Sequence, residues 1–400
     1  MIYGRDTCRR TKGKTSASSA LDTSKIKIKN RTDKTEQNMR KVAIALESTS
    51  NGWDGAGIGP EPKESKHQAL ARALDLLLRQ NDELHLVSVK NRVPCPLPMP
   101  SILSPADREV FCPADTRSDE SARVDHLLSD AARSTIFNNY HPAVHAVDPE
   151  GGVREALVQF CKQHEIELLV LGPVRESKGM YGVLRSLLGF GSVSEYSLHH
   201  LDVPIAVFHD HMDGKEEENV PKNKDTLDVL VCVDCMERPE SNLPLIKWVV
   251  DNVESEKTQI HIVSCALRAP YDIVEEECAC AIGEIHREED ERDDEMHAMA
   301  EAAVVGTKRL ALELGARDVR VDVVQAGGDD AGEVVNALTK YVGQGGFDLV
   351  CLGKRENLSA VSRTLNHWLG DGSVSDGLVT NELGGALVVV VPTVVPTDAA

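Results

Sequence analysis

One sentence of sequence is written twice in this chain at a constant interval. Glu167-Leu-Leu-Val-Leu-Gly172 leads to Gly189-Phe-Gly-Ser-Val-Ser194, and Asp348-Leu-Val-Cys-Leu-Gly353 leads to Gly370-Asp-Gly-Ser-Val-Ser375. Positions 172 and 353 are 181 apart, as are 191 and 372, and the offset holds without a gap from Asp148/Asp329 to Phe208/Val389. A chain that repeats itself this way folds as two copies of one unit, so the unit has to be read before anything else. Each copy runs an apolar stretch into glycine, then a mostly polar stretch, and opens an expected helix with Gly-x-Gly-Ser.

The 400 residues accommodate two such units plus an N-terminal extension and a connector. We expect a basic, disordered extension over 1–38, one domain over 39–210, a linker over 211–226 and a second domain over 227–395. Apolar residues make up 41% and no apolar run approaches the roughly 20 residues of a membrane helix, so a soluble protein without a membrane partner is expected. Residues 1–41 carry 12 Lys/Arg against 4 Asp/Glu, leaving 32 against 60 in the remainder. An acidic body argues against general nucleic-acid binding. Three readings of the basic extension stand: a disordered tail, an organelle-targeting peptide directing the chain to plastid or mitochondrion, or a segment preceding a functional start at Met39. Without a secretory signal the expected compartment is the cytoplasm, and the ten scattered cysteines read as reduced thiols. Cys232-x-x-Cys235 reads as a buried strand cysteine with a chance neighbour, and no set of metal ligands is assigned.

Periodicity places the elements. In the first unit, strands are expected at Val42–Leu46, Leu84–Val89, Ala143–Val147, Leu168–Leu171 and Pro204–Phe208. Helices fall between them, from near Pro62, over 118–136, Val153–His164 and Ser192–Leu201. The second unit repeats the order, with strands at Val229–Val233, Ile260–Ser264, Val319–Val324, Leu349–Leu352 and Leu387–Val391. Helices of ten or more residues between strands impose crossover connections, and right-handed crossovers give a parallel sheet covered on both faces. The fold class is therefore α/β, two tandem doubly wound five-stranded parallel sheets. Both second strands carry His then Ser (His85 and Ser88, His261 and Ser264), read as packed core or rim residues. His199-His200 is expected to face the core with half of the pair.

In an open parallel sheet, ligands settle at the carboxyl ends of the strands where the strand order reverses. The amides of Gly191-Ser192 at a helix start offer donors and partial positive charge to a phosphate. A capping box in Ser192-Val-Ser-Glu195 and Ser373-Val-Ser-Asp376 would satisfy the same donors internally, and spacing leaves the two readings level.

Glu83-Leu-His-Leu-Val, Leu168-Leu-Val-Leu-Gly172 and above all Gly191-Ser-Val-Ser-Glu-Tyr-Ser-Leu-His-His-Leu-Asp-Val-Pro204 resemble a universal stress protein domain, of the tandem kind with plant-like phrasing. The resemblance covers roughly 39–210 and 227–395. It implies an adenine-nucleotide-hydrolase-like sheet in the order 3-2-1-4-5, pairing through the fifth strand, and in some members bound ATP or AMP, with Mg2+ as an optional companion. Its nucleotide pattern is an acidic residue after the first strand and Gly-x2-Gly-x9-Gly-Ser/Thr after the fourth. On that pattern the first unit offers Glu47, Val89, Gly172, Gly179, Gly182, Gly191, Ser192 and Val193, with Glu in place of the usual Asp and one residue missing between Gly182 and Gly191. The second unit keeps Asp234, Gly353, Gly372 and Ser373 but has Glu356 where the second glycine belongs. A glutamate there crowds and repels an anion, so the first site is the better candidate.

The expected function is binding of an adenine nucleotide, mainly in the first domain, in the regulation of a stress response. The alternative is an interaction or scaffold protein with degenerate sites. No catalytic residue set is visible, and slow ATP hydrolysis is a third, weaker idea. The expected partners are the nucleotide and, through an intrachain pseudo-dimer, the second domain of the same chain, with homo-oligomers open.

Overall fold

The computed structural model describes residues 39–46, 64–90, 122, 124–126, 128–129, 131–133, 137, 140–148, 152–172, 193–208, 226–236, 238–253, 255–268, 279–328, 331–355, 374–380, 383 and 385–393. All described elements belong to one compact unit, Met39–Ala400. The first half contributes β1 (Lys41–Ala45), α1 (Glu64–Leu77), β2 (Glu83–Val89), β3 (Ala143–Val147), α2 (Val153–Gln163), β4 (Leu168–Leu171), α3 (Val193–His200) and β5 (Ile205–Val207). The second contributes β6 (Leu227–Val233), α4 (Leu243–Asn252), β7 (Thr258–Ala266), α5 (Ala279–Glu313), β8 (Asp318–Gln325), α6 (Ala331–Gly345), β9 (Leu349–Arg355), α7 (Val374–Thr380) and β10 (Leu387–Thr393). Helical residues within 122–133 precede β3.

The ten strands form one sheet in the order β3-β2-β1-β4-β5-β10-β9-β6-β7-β8. Each half is thus a parallel 3-2-1-4-5 sheet, and the single antiparallel junction joins the two fifth strands through Val388/Val207, Val389/Ala206 and Val390/Ile205. Because this seam is antiparallel, the carboxyl ends of β1 and β6 lie at opposite edges of the sheet. Strand runs such as Leu168-Leu-Val-Leu171, buried at every position, are what a sheet covered on both faces requires. Alternate side chains feed two cores. Val42, Ile44, Leu84, Leu86, Leu168 and Val170 pack with Leu74 and Leu77 of α1 on one face. Ala43, Val87, Leu169 and Leu171 pack with Leu157 and Phe160 of α2 on the other.

The repeat also dictates backbone detail. After α2, Glu165 takes φ 54°, and its counterpart after α6 is Gly346 with φ 60°. Both positions end a helix in the left-handed region, which glycine adopts freely and glutamate at a cost of about 1 kcal/mol. In the first half the turn is closed by the Ile166 N–H donating to the Cys161 carbonyl at 2.9 Å. The acidic residue that opens each copy of the repeat has a shared task too. Glu167 Oε1 accepts from the Lys41 N–H at 3.4 Å, and Asp348 Oδ2 accepts from the Asp228 N–H at 3.0 Å.

Polar contacts reinforce the junction between halves. Arg72 of α1 donates to the Asp348 carboxylate before β9. Arg40 Nη1 donates to Asn252 Oδ1 at 2.7 Å while its Nη2 pairs with Asp82 at 2.5 Å. Arg79 donates to Asn252 Oδ1 at 2.9 Å and to the Asp251 carbonyl, so cationic groups meet the carbonyl end of α4 where the helix dipole favours them.

α5 is 35 residues long, roughly 52 Å. The structure departs from the sequence reading in two places here. β9 does not stop at Leu352 but continues through Gly353 to Arg355, because β10 runs alongside it as far as Thr393. His199 and His200 are both exposed, rather than half facing the core, because the buried positions of α3 are Ser194, Ser197 and Leu198. His200 instead stacks on Tyr196 with ring centroids 3.8 Å apart.

Candidate functional site

The order of each half reverses between its first and fourth strands, and the crevice of a doubly wound sheet opens there. In the first half, Ala45 stands opposite Leu171, so Leu46 and Gly172 are the next residues out on either side. Among the expected site residues, Val89, Gly172 and Val193 lie in this region of the described structure, whereas Glu47, Gly179, Gly182, Gly191 and Ser192 lie outside the described residues. Val89 ends β2, is 9% exposed, and pairs with Val147 of β3. Val193 opens α3. Among the described residues, a Cβ placed on Gly172 would meet the Phe208 ring at an ordinary 3.6 Å.

The second half is built on the same register. Cys232 stands opposite Leu352, which sets Val233 beside Gly353 and brings Asp234 into the position that Glu47 has in the first half. Gly372 and Ser373 lie outside the described residues, but Asp234 and Gly353 do not. Asp234 Oδ1 accepts from the Met236 N–H at 2.8 Å, folding the carboxylate over its own turn. At Gly353 a Cβ would lie 3.1 Å from Thr393 Cγ2, so this glycine makes room for the extended β10. Lys354 Nζ donates to the Leu201 carbonyl at 3.2 Å, and the Thr393 hydroxyl donates to the Lys354 carbonyl. Strand extension thus carries Lys354 to the seam between halves.

One matched pair distinguishes the two crevices. Ser264 Oγ donates to the Val233 carbonyl at 2.9 Å, closing the end of β6. Ser88 is its equivalent, 1% exposed, and its Oγ has no hydrogen-bond partner among the described residues. The sequence showed both serines, but only the structure shows that one is bonded and the other is not.

Residues 58–209 match the model of the universal stress protein family. That match lies within the first of the two repeated units. The second half repeats its strand order and its registers. Among solved structures, the chain is similar to a universal stress protein from Archaeoglobus fulgidus DSM 4304, at 16% identity over 88% of this chain and 96% of that one, with a TM-score of 0.46. A universal stress protein family protein from Arabidopsis thaliana with AMP bound is 17% identical over 45% of this chain and 97% of its own, TM-score 0.28. Universal stress protein UspA from Lactobacillus plantarum is 18% identical over 43% and 99%, TM-score 0.28. No curated protein matches the chain. Among the described residues, no helix is long and apolar enough to cross a membrane.

Proposed function

We propose that the first universal stress domain binds an adenine nucleotide, ATP or AMP, at the carboxyl ends of β1 and β4, and that the chain acts as a binding module in a stress response rather than as an enzyme. The observation that carries this reading is the pair of serines. A hydroxyl buried without a partner costs about 1–3 kcal/mol, and Ser88, unbonded among the described residues while its twin Ser264 is bonded, is a group that a polar ligand would satisfy. Glycines at 172, 179 and 182 suit a loop whose backbone comes close to phosphate, and a carboxylate at Glu47 would accept from the base or ribose. Mg2+ would offset phosphate charge, and no residue is assigned to hold it.

The second domain is proposed as structural. Asp234 is turned onto Met236, and the strand that should release a phosphate loop at Gly353 instead continues to Arg355.

Nucleotide released by acid from the purified full chain, together with calorimetric titration of ATP and of AMP, tests both statements. One nucleotide per chain is expected, lost in Gly182→Glu, weakened in Ser88→Ala and retained in Asp234→Ala. No bound nucleotide and no heat at millimolar ATP or AMP would overturn the reading. Binding lost in Asp234→Ala but kept in Gly182→Glu would move the site to the second domain.

A further inference from the structure

Three histidine rings from separate segments meet beside β3, the edge strand of the first half. His85 lies on β2, His145 on β3, and His164 directly follows α2. His85 Nδ1 and His145 Nε2 are 3.0 Å apart. The ring centroids are separated by 5.1 Å for His85 and His145, 5.0 Å for His145 and His164, and 5.8 Å for His85 and His164. Phe160 of α2 stacks on His164 at 4.2 Å and closes the group. A cavity of about 520 Å³ opens against it, lined by His145, His164, Gln159 and Gln163 among others.

The charged groups around the trio come from every neighbouring element. Glu83 Oε1 on β2 stands 3.4 Å from His85 Nε2. Lys41 on β1 donates to the His164 carbonyl at 3.2 Å and lies 3.5 Å from Glu165 Oε2. Asp148, after β3, pairs with Lys90, after β2, at 3.4 Å. The adjoining face of α2 contributes the neutral amides Gln159 and Gln163.

Proton counting makes the arrangement conditional. Between neutral rings one nitrogen of this contact donates and the other, bare, accepts, whichever ring carries the shared proton. A first added proton goes to a ring nitrogen outside the contact and leaves that bond intact. With both rings imidazolium, two N–H groups would face each other across 3.0 Å. His85 and His145 therefore cannot both be imidazolium while β3 stays in place. Burial is the largest influence holding both rings below the usual histidine value; His164 pushes the same way for both and Lys41 for His85, while Glu83 opposes them at His85.

We propose that His85 and His145, packed against the ring of His164, form an acid-released latch, in which the neutral pair holds the edge strand β3 against β2 and proton uptake frees it. β3 is suited to local release because it ends the sheet and pairs only with β2, over five residues. The sign follows from the lowered values. The contribution of the latch is intact above the ordinary histidine value near 6.5 and is lost as pH falls below it. The other edge is an internal control. In β8 the position of His145 is taken by Asp322, which accepts from the Tyr341 hydroxyl at 3.1 Å, and Gly345 takes the place of His164.

Hydrogen exchange of the full chain between about pH 7.5 and 5.5, corrected for intrinsic rates, reads the opening of 143–147 directly. Opening is expected to change little above about pH 6.5 and to rise below it, approaching tenfold per pH unit for each proton taken up, while 318–325 stays level. In the double variant His145→Gln, His164→Gln the pH response of β3 should disappear. Parallel changes in β3 and β8, or a response undiminished in the variant, would overturn the latch. Should the variant not fold, ring-proton titration of the unaltered chain decides: coupled curves midpointing below 6.5 support the proposal, and independent curves at the ordinary value overturn it.

Discussion

Removing the Asp348 side chain should weaken the junction between the two domains by an amount the structure lets one work out. The residue is 8% exposed, and its carboxylate holds two partners: the Asp228 N–H at the start of β6, at 3.0 Å, and the Arg72 guanidinium from the other half. In Asp348→Ala the backbone donor loses its acceptor, a loss of about 1–2 kcal/mol. The ion pair adds only about 0.5–1 kcal/mol, because the Arg72 side chain is 44% exposed and water screens it. The expected total is about 1.5–3 kcal/mol in urea denaturation. Asp348→Asn keeps an oxygen for the N–H and loses the charge, so it should cost about 1 kcal/mol. A double-mutant cycle with Arg72→Ala should give a coupling of about 0.5–1 kcal/mol that shrinks in molar salt. Equal losses for Asn and Ala, or no coupling at low salt, would refute the division of labour assigned to this carboxylate.

Two further outcomes are expected. In Gly306→Ala on α5, the new Cβ would lie 2.5 Å from Pro239 Cγ, so overpacking of about 1–3 kcal/mol outweighs the helix-propensity gain of about 1 kcal/mol; a higher melting temperature would contradict this. Burial pushes the thiols of Cys161 and Cys265 up to about 12 and raises that of Cys351 as well, so near pH 8 they stay protonated. Alkylation followed by mass spectrometry should leave these three cysteines unmodified until the chain is unfolded in urea, and rapid labelling of the native protein would show that the strand ends open.

Much of the architecture was legible in the sequence because it is written locally and twice. β3 and β4 fall at Ala143–Val147 and Leu168–Leu171, as their apolar runs predict, and the repeat implied a second sheet of the same order. Strand ends were less legible where a neighbour decides them: β9 runs to Arg355 only because β10 supplies partners that far. For the candidate site the sequence offered a list of residues after the first and fourth strands, of which Val89, Gly172, Val193, Asp234 and Gly353 fall among the described residues. Nothing in the letters distinguishes Ser88 from Ser264, since whether a hydroxyl reaches a carbonyl depends on ångström-scale placement of the neighbouring strand.

By itself the sequence determined a duplicated α/β unit, the apolar strands that both faces must cover, and the acidic residue that opens each repeat, all of which follow from spacing along the chain. Tertiary structure alone decided that Arg40, Arg72 and Arg79 bind across the junction, that Ser264 bonds the Val233 carbonyl, and that His85, His145 and His164 share one place. Those contacts join residues tens to hundreds of positions apart. Periodicity records which face a side chain takes, whereas only the folded sheet determines what it meets there.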